Sequence, residues 1–323
     1  MSGVLTVILW IIAICAGLLA LAALRTRHLT RTAEATVPPA GRRVDVPGGQ
    51  IHLVEQGPAD GTPVVMIHGL SGQLQHMTYA LSERLATTHR VVAVDRPGCG
   101  YSGTEPAGIA EQARRIGAAL DALDLREAVV VGHSLGGAVA LALALDRPDL
   151  VRALALICPA TQAQTDVPEI FKGLEIRTPA LRRLLGHTIA VPIAKLTAAR
   201  VISLAFKPEP PVPDFLTRGG ANLGLRPQGF ITASSDLAAY EREIDAQVAR
   251  YAGELRCPGA VLYGADDPIL SPELHGRSLQ TLGFDYQELP GLGHMIPFTA
   301  PDACAEFIRG VAALPAPEMH RTG

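Results

Sequence analysis

Residues 128–146 read AVVVGHSLGGAVALALALD: a β-branched apolar run, a serine bracketed by glycines, then an alanine- and leucine-rich stretch stopped by Pro148. Ala128 to His133 is continuously apolar up to its last residues, as suits a strand covered on both faces. Leu135 to Asp146 reads as a helix. Between them Gly132-His133-Ser134-Leu135-Gly136 matches G-x-S-x-G at a strand-to-helix junction. The turn there is so tight that the residues two before and two after the serine must be small, which Gly132 and Gly136 satisfy, and it lifts the hydroxyl to a helix N-terminus. Taken alone, the same stretch also reads as an N-capping serine in a glycine turn, so the rest of the chain has to decide.

A serine hydroxyl is a poor nucleophile at neutral pH. It needs an imidazole to take its proton and a carboxylate to hold that imidazole in the useful tautomer. At a strand–turn–helix site of this kind the chain order is serine, acid, histidine. After the strand-like Gly259 to Gly264 come Asp266, Asp267 and Pro268, and after Asp285 to Leu289 come Gly291, Leu292, Gly293 and His294. Both fall at strand ends, where open α/β sheets collect their sites. Of the two acids, Asp267 is favoured because it directly precedes proline at the loop tip, with Asp266 left to hydrogen-bond the turn. His133 is expected to point away from Ser134 by strand alternation, and His68 to order the loop after its own strand. The developing oxyanion needs two donors: the backbone N–H of Leu135 in the turn, and that of Leu70 after His68-Gly69, where Gly69 permits close approach. The Asp95 to Ser102 loop is read as a structural brace.

Working outward, Arg43 to Val46 and Ile51 to Glu55 flank Pro47-Gly48-Gly49 as a hairpin. Pro63 to His68, Arg90 to Asp95 and Ala153 to Cys158 are further buried-strand candidates. Helix-like stretches lie at His76 to Thr88, Ile109 to Leu123, Pro272 to Leu282 and Asp302 to Ala313. The alternation predicts a parallel, doubly wound α/β sheet. From Pro159 to Leu237 the pattern turns helical and apolar, broken by the Pro208 to Pro213 knot, so a helical insertion interrupts the sheet.

Residues 4–24 form an uncharged run of about 21 residues, long enough to cross a bilayer. No Lys or Arg precedes it, which disfavours a cleavable signal, although Ala20-Leu21-Ala22 leaves cleavage as the alternative. Arg25, Arg27 and Arg31 follow it, so the positive-inside tendency puts the catalytic domain in the cytoplasm. Residues 25–43 read as a polar linker. The hydrophobic fraction of 48% reflects this segment in large part, and a formal charge of -3 provides no field for nucleic acid. Five cysteines lack CxxC or Cys/His spacing, which argues against a disulfide framework or a zinc site. No metal or cofactor is implied.

His68-Gly69, the Asp95 to Ser102 loop, Gly132 to Gly137, Gly264 to Pro268 and Gly291 to His294 together resemble the α/β-hydrolase superfamily over about residues 45–315. The resemblance implies an eight-stranded, mostly parallel sheet with a helical cap after the sixth strand. The expected division is a transmembrane anchor 1–24, a linker 25–43, core 44–159, cap 160–236, core 237–315 and a tail 316–323. It also implies Ser134, Asp267 and His294 as the triad, with Leu70 and Leu135 at the oxyanion hole. Dehalogenases and epoxide hydrolases of this fold carry aspartate where Ser134 stands, and the C–C hydrolases usually carry methionine where Leu135 stands. The expectation is therefore a membrane-anchored esterase acting on apolar or lipid-like esters, with a C–C hydrolase, a lactonase or a non-catalytic binding scaffold as the alternatives.

Overall fold

The structure, a computed structural model, describes residues 2–103, 108–164 and 166–315; the expected tail at 316–323 lies outside them. The chain opens with helix α1 (Ser2–Thr36), then strands β1 (Arg42–Val46), β2 (Gly49–Gln56) and β3 (Thr62–Ile67). Helices α2 (Gln75–Thr78) and α3 (Leu81–Leu85), strand β4 (His89–Val94), helix α4 (Ile109–Ala122) and strand β5 (Ala128–His133) follow. Next come α5 (Leu135–Asp146) and β6 (Val151–Ile157), then the cap helices α6 (Pro179–His187), α7 (Ala190–Phe206) and α8 (Pro227–Glu254). Strands β7 (Gly259–Gly264) and β8 (Asp285–Leu289) and helices α9 (Ile296–Thr299) and α10 (Pro301–Ala312) complete the described chain.

The strands form one eight-stranded sheet in the order β1-β2-β4-β3-β5-β6-β7-β8. β1 and β2 pair antiparallel, as does β2 with β4, and every later pairing is parallel. The hairpin turns at Pro47-Gly48, where Gly48 takes a φ of 89° that a side chain would oppose. Every residue of β5 and β7 is buried, as their unbroken apolar runs require of strands covered on both faces. Helix α5 is buried from Leu135 through Leu145, which is why it is apolar all round. The parallel strands send their carboxyl ends to one edge, where the loops bearing His68, Ser134, Asp267 and His294 meet.

Three expectations differ from the structure. The polar segment 25–43 is helical as far as Thr36: Thr26, Leu29, Ala33 and Val37 are buried at helical spacing, with Leu29 and Ala33 packed on Val191 and Leu225 of the cap. Docking against the cap therefore supplies the periodicity that the exposed Arg, His and Thr neighbours hide. The cap boundary at 236 falls inside α8, a single helix running from cap to core. Finally, His76 to Thr88 divides into α2 and α3, and Pro272 to Leu282 forms two short non-α turns.

Candidate active site

Ser134 sits between β5 and α5 with φ 55° and ψ -125°, a conformation that L residues avoid and that surrounding packing must hold. The glycines around it are steric necessities. A Cβ on Gly132 would lie 2.6 Å from the Gly136 carbonyl oxygen, and one on Gly136 would run into the Ile67 carbonyl. A Cβ on Gly69 would stand 2.7 Å from the Ser134 Cβ, so the loop after β3 lies directly against the serine.

Both expected oxyanion donors belong to peptide groups whose carbonyls are held from behind. The Gly69 carbonyl accepts from Arg96 Nη2 at 2.9 Å and from the Gly72 N–H at 3.2 Å. The Ser134 carbonyl accepts from the Gly137 and Ala160 N–H groups at 2.8 and 2.9 Å. In a planar trans peptide the N–H points opposite to the C=O, so these bonds aim the Leu70 and Leu135 N–H groups the other way. Leu135 opens α5, where an N–H has no partner within its own helix.

Asp267 follows β7, and its carboxylate is fully buried. His294 Nδ1 donates to its Oδ2 at 2.7 Å, while the Ile269 and Leu270 N–H groups donate to Oδ1 at 2.8 and 3.0 Å. With Nδ1 carrying the proton, Nε2 of His294 is left with a lone pair that can accept one. Asp266 is exposed on the same turn, and its N–H binds the Leu292 carbonyl at 2.9 Å. Ser134 and His294 line one cavity. Their hydroxyl and imidazole form no hydrogen bond of ordinary geometry among the described residues, in keeping with catalytic bonds that tighten when substrate binds.

His68 lies where its expected bracing role needs it, donating from Nδ1 to the Gly69 carbonyl at 2.9 Å and accepting from the Arg96 N–H at Nε2, 3.0 Å. Burial and the adjacent Arg96 hold it neutral, well below the usual imidazole range. The Asp95 loop is tied as a brace: the Asp95 carboxylate takes the Leu74 and Tyr101 N–H groups and His52 Nδ1 at 2.7 to 2.8 Å. His133 departs from expectation. Its ring lies 4.9 Å from that of His294, its Nε2 meets the His294 carbonyl at 3.1 Å, and it lines the cavity. Strand alternation fails to carry across to Ser134 because the chain leaves extended geometry there.

Two long-range pairings carry no signal in the sequence. Fully buried Arg96 donates from Nε to the His68 carbonyl at 2.9 Å and from Nη1 to Asp236 of α8 at 2.7 Å, so it ties the loop after β3 to the cap. Glu209, inside the proline knot, accepts from the Gly293 N–H at 2.7 Å and so holds the histidine loop. Cys158, Asp267 and His294 bring ligating atoms within 4.8 Å of one another. Burial holds the Cys158 thiol protonated, and the carboxylate is already taken by His294, so the trio suits an acid–base pair better than a metal.

The cavity has a volume of about 760 Å³ and a mainly apolar wall, including Leu70, Phe171, Ile189, Ile193 and Val201. The profile of the alpha/beta hydrolase family matches residues 64–307. The acetyltransferase component of the acetoin cleaving system of Pseudomonas putida is 28% identical over 267 residues, which is 81% of this chain but only 66% of that protein's length. A pimeloyl-[acyl-carrier protein] methyl ester esterase of Chromobacterium violaceum is 31% identical over 266 residues, covering 78% of this chain and 93% of the esterase. Among solved structures, a bacterial membrane phospholipase A superposes with a TM-score of 0.60 at 21% identity, over 97% of this chain and all of that one. With the sheet order, the glycine-walled serine turn and a match spanning most of the sheet domain in agreement, this chain belongs to the alpha/beta hydrolase family.

Proposed function

We propose that this hydrolase is a membrane-anchored serine esterase that cleaves carboxylic esters with apolar acyl groups. Ser134 attacks the ester carbonyl while Nε2 of His294 takes its proton, and Asp267 keeps that imidazole in the tautomer required. The tetrahedral oxyanion draws on the Leu70 and Leu135 N–H groups. His294 then returns the proton to the leaving alkoxide, and water releases the acyl group from Ser134 by the same steps in reverse order. The observation that carries this reading is the 2.7 Å bond between His294 Nδ1 and the buried Asp267 carboxylate, beside a cavity that Ser134 also lines.

The apolar wall favours an acyl chain over a charged or sugar substrate, because each methylene buried there contributes about 0.8 kcal/mol. Support for the anchor comes from the apolar stretch of α1, which no part of the fold buries, and from the likeness to a membrane phospholipase. We read the domain as cytoplasmic because the exposed Arg25, Arg27 and Arg31 follow the apolar run, the flank that the positive-inside tendency favours on that side. The test is a panel of p-nitrophenyl esters of increasing chain length together with lactones, amides and ring-fission diketones, assayed on the parent and Ser134→Ala. Ester turnover that rises with chain length and vanishes in Ser134→Ala is expected. Turnover that survives the substitution, or that is confined to the diketones, contradicts the reading.

A further inference from the structure

The cap carries an apolar surface that the protein does not cover. Leu181 and Leu184 on α6, with Ile189, Ile193 and Leu196 at and along α7, are exposed, Leu196 to 85%. The two helices meet at 75°. Neither is free to leave the domain: Arg182 of α6 is buried and bonds the Ser234 hydroxyl of α8 at 2.9 Å, and α7 buries Val191 and Phe206. Each is therefore half-embedded, with one face in the protein and the other bare, as in a helix that lies along a membrane rather than crossing it.

The position of this surface says what covers it. Thr26, two residues beyond the end of the apolar run of α1, donates its hydroxyl to the Thr188 carbonyl at 2.6 Å, and Thr188 is the first of the two residues between α6 and α7. Leu29, one turn further along α1, packs on Val191. The bare face of the cap thus begins at the level where α1 emerges from its apolar stretch, and its apolar surface continues that of the span. Exposed Arg25 and Arg27 flank Thr26 at that level, and exposed Lys195 adjoins Leu196 on α7, where lipid phosphates would meet them. Ile189 and Ile193 belong both to this face and to the wall of the cavity.

We propose that the α6–α7 face rests in the interfacial layer of the phospholipid bilayer that holds α1, so that the cavity rim at Ile189 and Ile193 opens to lipid and its esters enter from the membrane. The inference rests on the reading of α1 as a membrane span. The sequence has a single tryptophan, Trp10, inside that span, which lets one experiment separate the two.

Full-length protein is placed in phosphatidylcholine–phosphatidylglycerol vesicles with and without brominated acyl chains, as the parent and as Trp10→Phe carrying Leu184→Trp or Leu196→Trp. Bromine is expected to quench Trp10 and both cap tryptophans, the latter by roughly twofold or more at interfacial depth. Quenching of Trp10 with bright cap tryptophans overturns the inference and leaves the anchor standing; that result also covers a second protein copy on this face. No quenching at any position removes both. A second arm uses Leu184→Asp and Leu196→Asp, neither of which lines the cavity. Turnover of a long-chain ester presented in vesicles should fall about tenfold while that of a soluble short-chain ester holds. An equal fall on both substrates, or on neither, contradicts the proposal.

Discussion

Replacing Asp236 by Asn should loosen the loop after β3 from a distance. Asp236 and Arg96 are both fully shielded from solvent, joined at 2.7 Å, with Gln112 donating to the second carboxylate oxygen at 3.1 Å. Burial pushes the Asp236 carboxyl up against the pull of Arg96. Asn keeps the shape and an acceptor but removes the charge, which leaves a guanidinium buried without its counter-ion. Breaking such a pair from one side costs about 3–5 kcal/mol. For a chain of this size that lowers Tm by roughly 4–8 °C. Arg96 also holds the His68 and Gly69 carbonyls, so kcat should fall by about tenfold, a fraction of the 10²–10³ typical of losing an oxyanion donor outright. The double variant Arg96→Met with Asp236→Leu separates the two effects. It restores part of the stability, because no charge is left buried alone, although the His68 carbonyl and the Gln112 amide lose their bonds to the pair. It does not restore kcat, because the Gly69 and His68 carbonyls still lack their bonds from Arg96. Differential scanning fluorimetry and p-nitrophenyl ester kinetics on the detergent-solubilised protein measure both. Recovery of parental kcat in the double variant would refute the assignment of Arg96 as a positioning residue.

The two neighbouring carboxylates should behave differently: Asp267→Asn lowers kcat by about 10⁴ through loss of the tautomer, whereas Asp266→Asn stays within about twofold. Equal effects in a kinetic comparison would move the acid off Asp267. The protein should also weaken in mild acid. Burial holds His76 and His275 down to about 4, and His68 and His133 well below their ordinary value near 6.5. The unfolded chain takes up protons at these rings near pH 6.5 while the folded chain does not. Their contribution is therefore complete above about pH 6.5 and declines as pH falls toward about 4, by roughly 3 kcal/mol for each ring that reaches 4. Urea midpoints measured across that window should drop, and His76→Leu should flatten part of the slope; a flat parental profile excludes this coupling.

The candidate site residues, Ser134, Asp267 and His294 from chain order and Leu70 and Leu135 from their loops, are legible in the sequence because their signals are local. A serine turn walled by backbone demands glycine at 132 and 136, and a loop after a parallel strand announces itself by the end of an apolar run. Arg96 with Asp236 and Glu209 with Gly293 were not legible, since each joins segments far apart in sequence and a buried charge looks like any other until the fold covers it. The docked half of α1 was hidden for a related reason. Its buried stripe contains Thr26 and Ala33, residues too small or polar to register as a face until Val191 and Leu225 are seen against it. His133 was misdirected by extending strand alternation into a turn that ends it.

The central claim, that Ser134 is a hydroxyl activated by His294, is tested most directly by reacting the intact protein with a fluorophosphonate and locating the adduct by peptide mass spectrometry. The account predicts one phosphonylated residue, Ser134, formed in the parent and lost in Ser134→Ala and His294→Ala. A parent that stays unlabelled, or a label that forms elsewhere and persists in both variants, would contradict it.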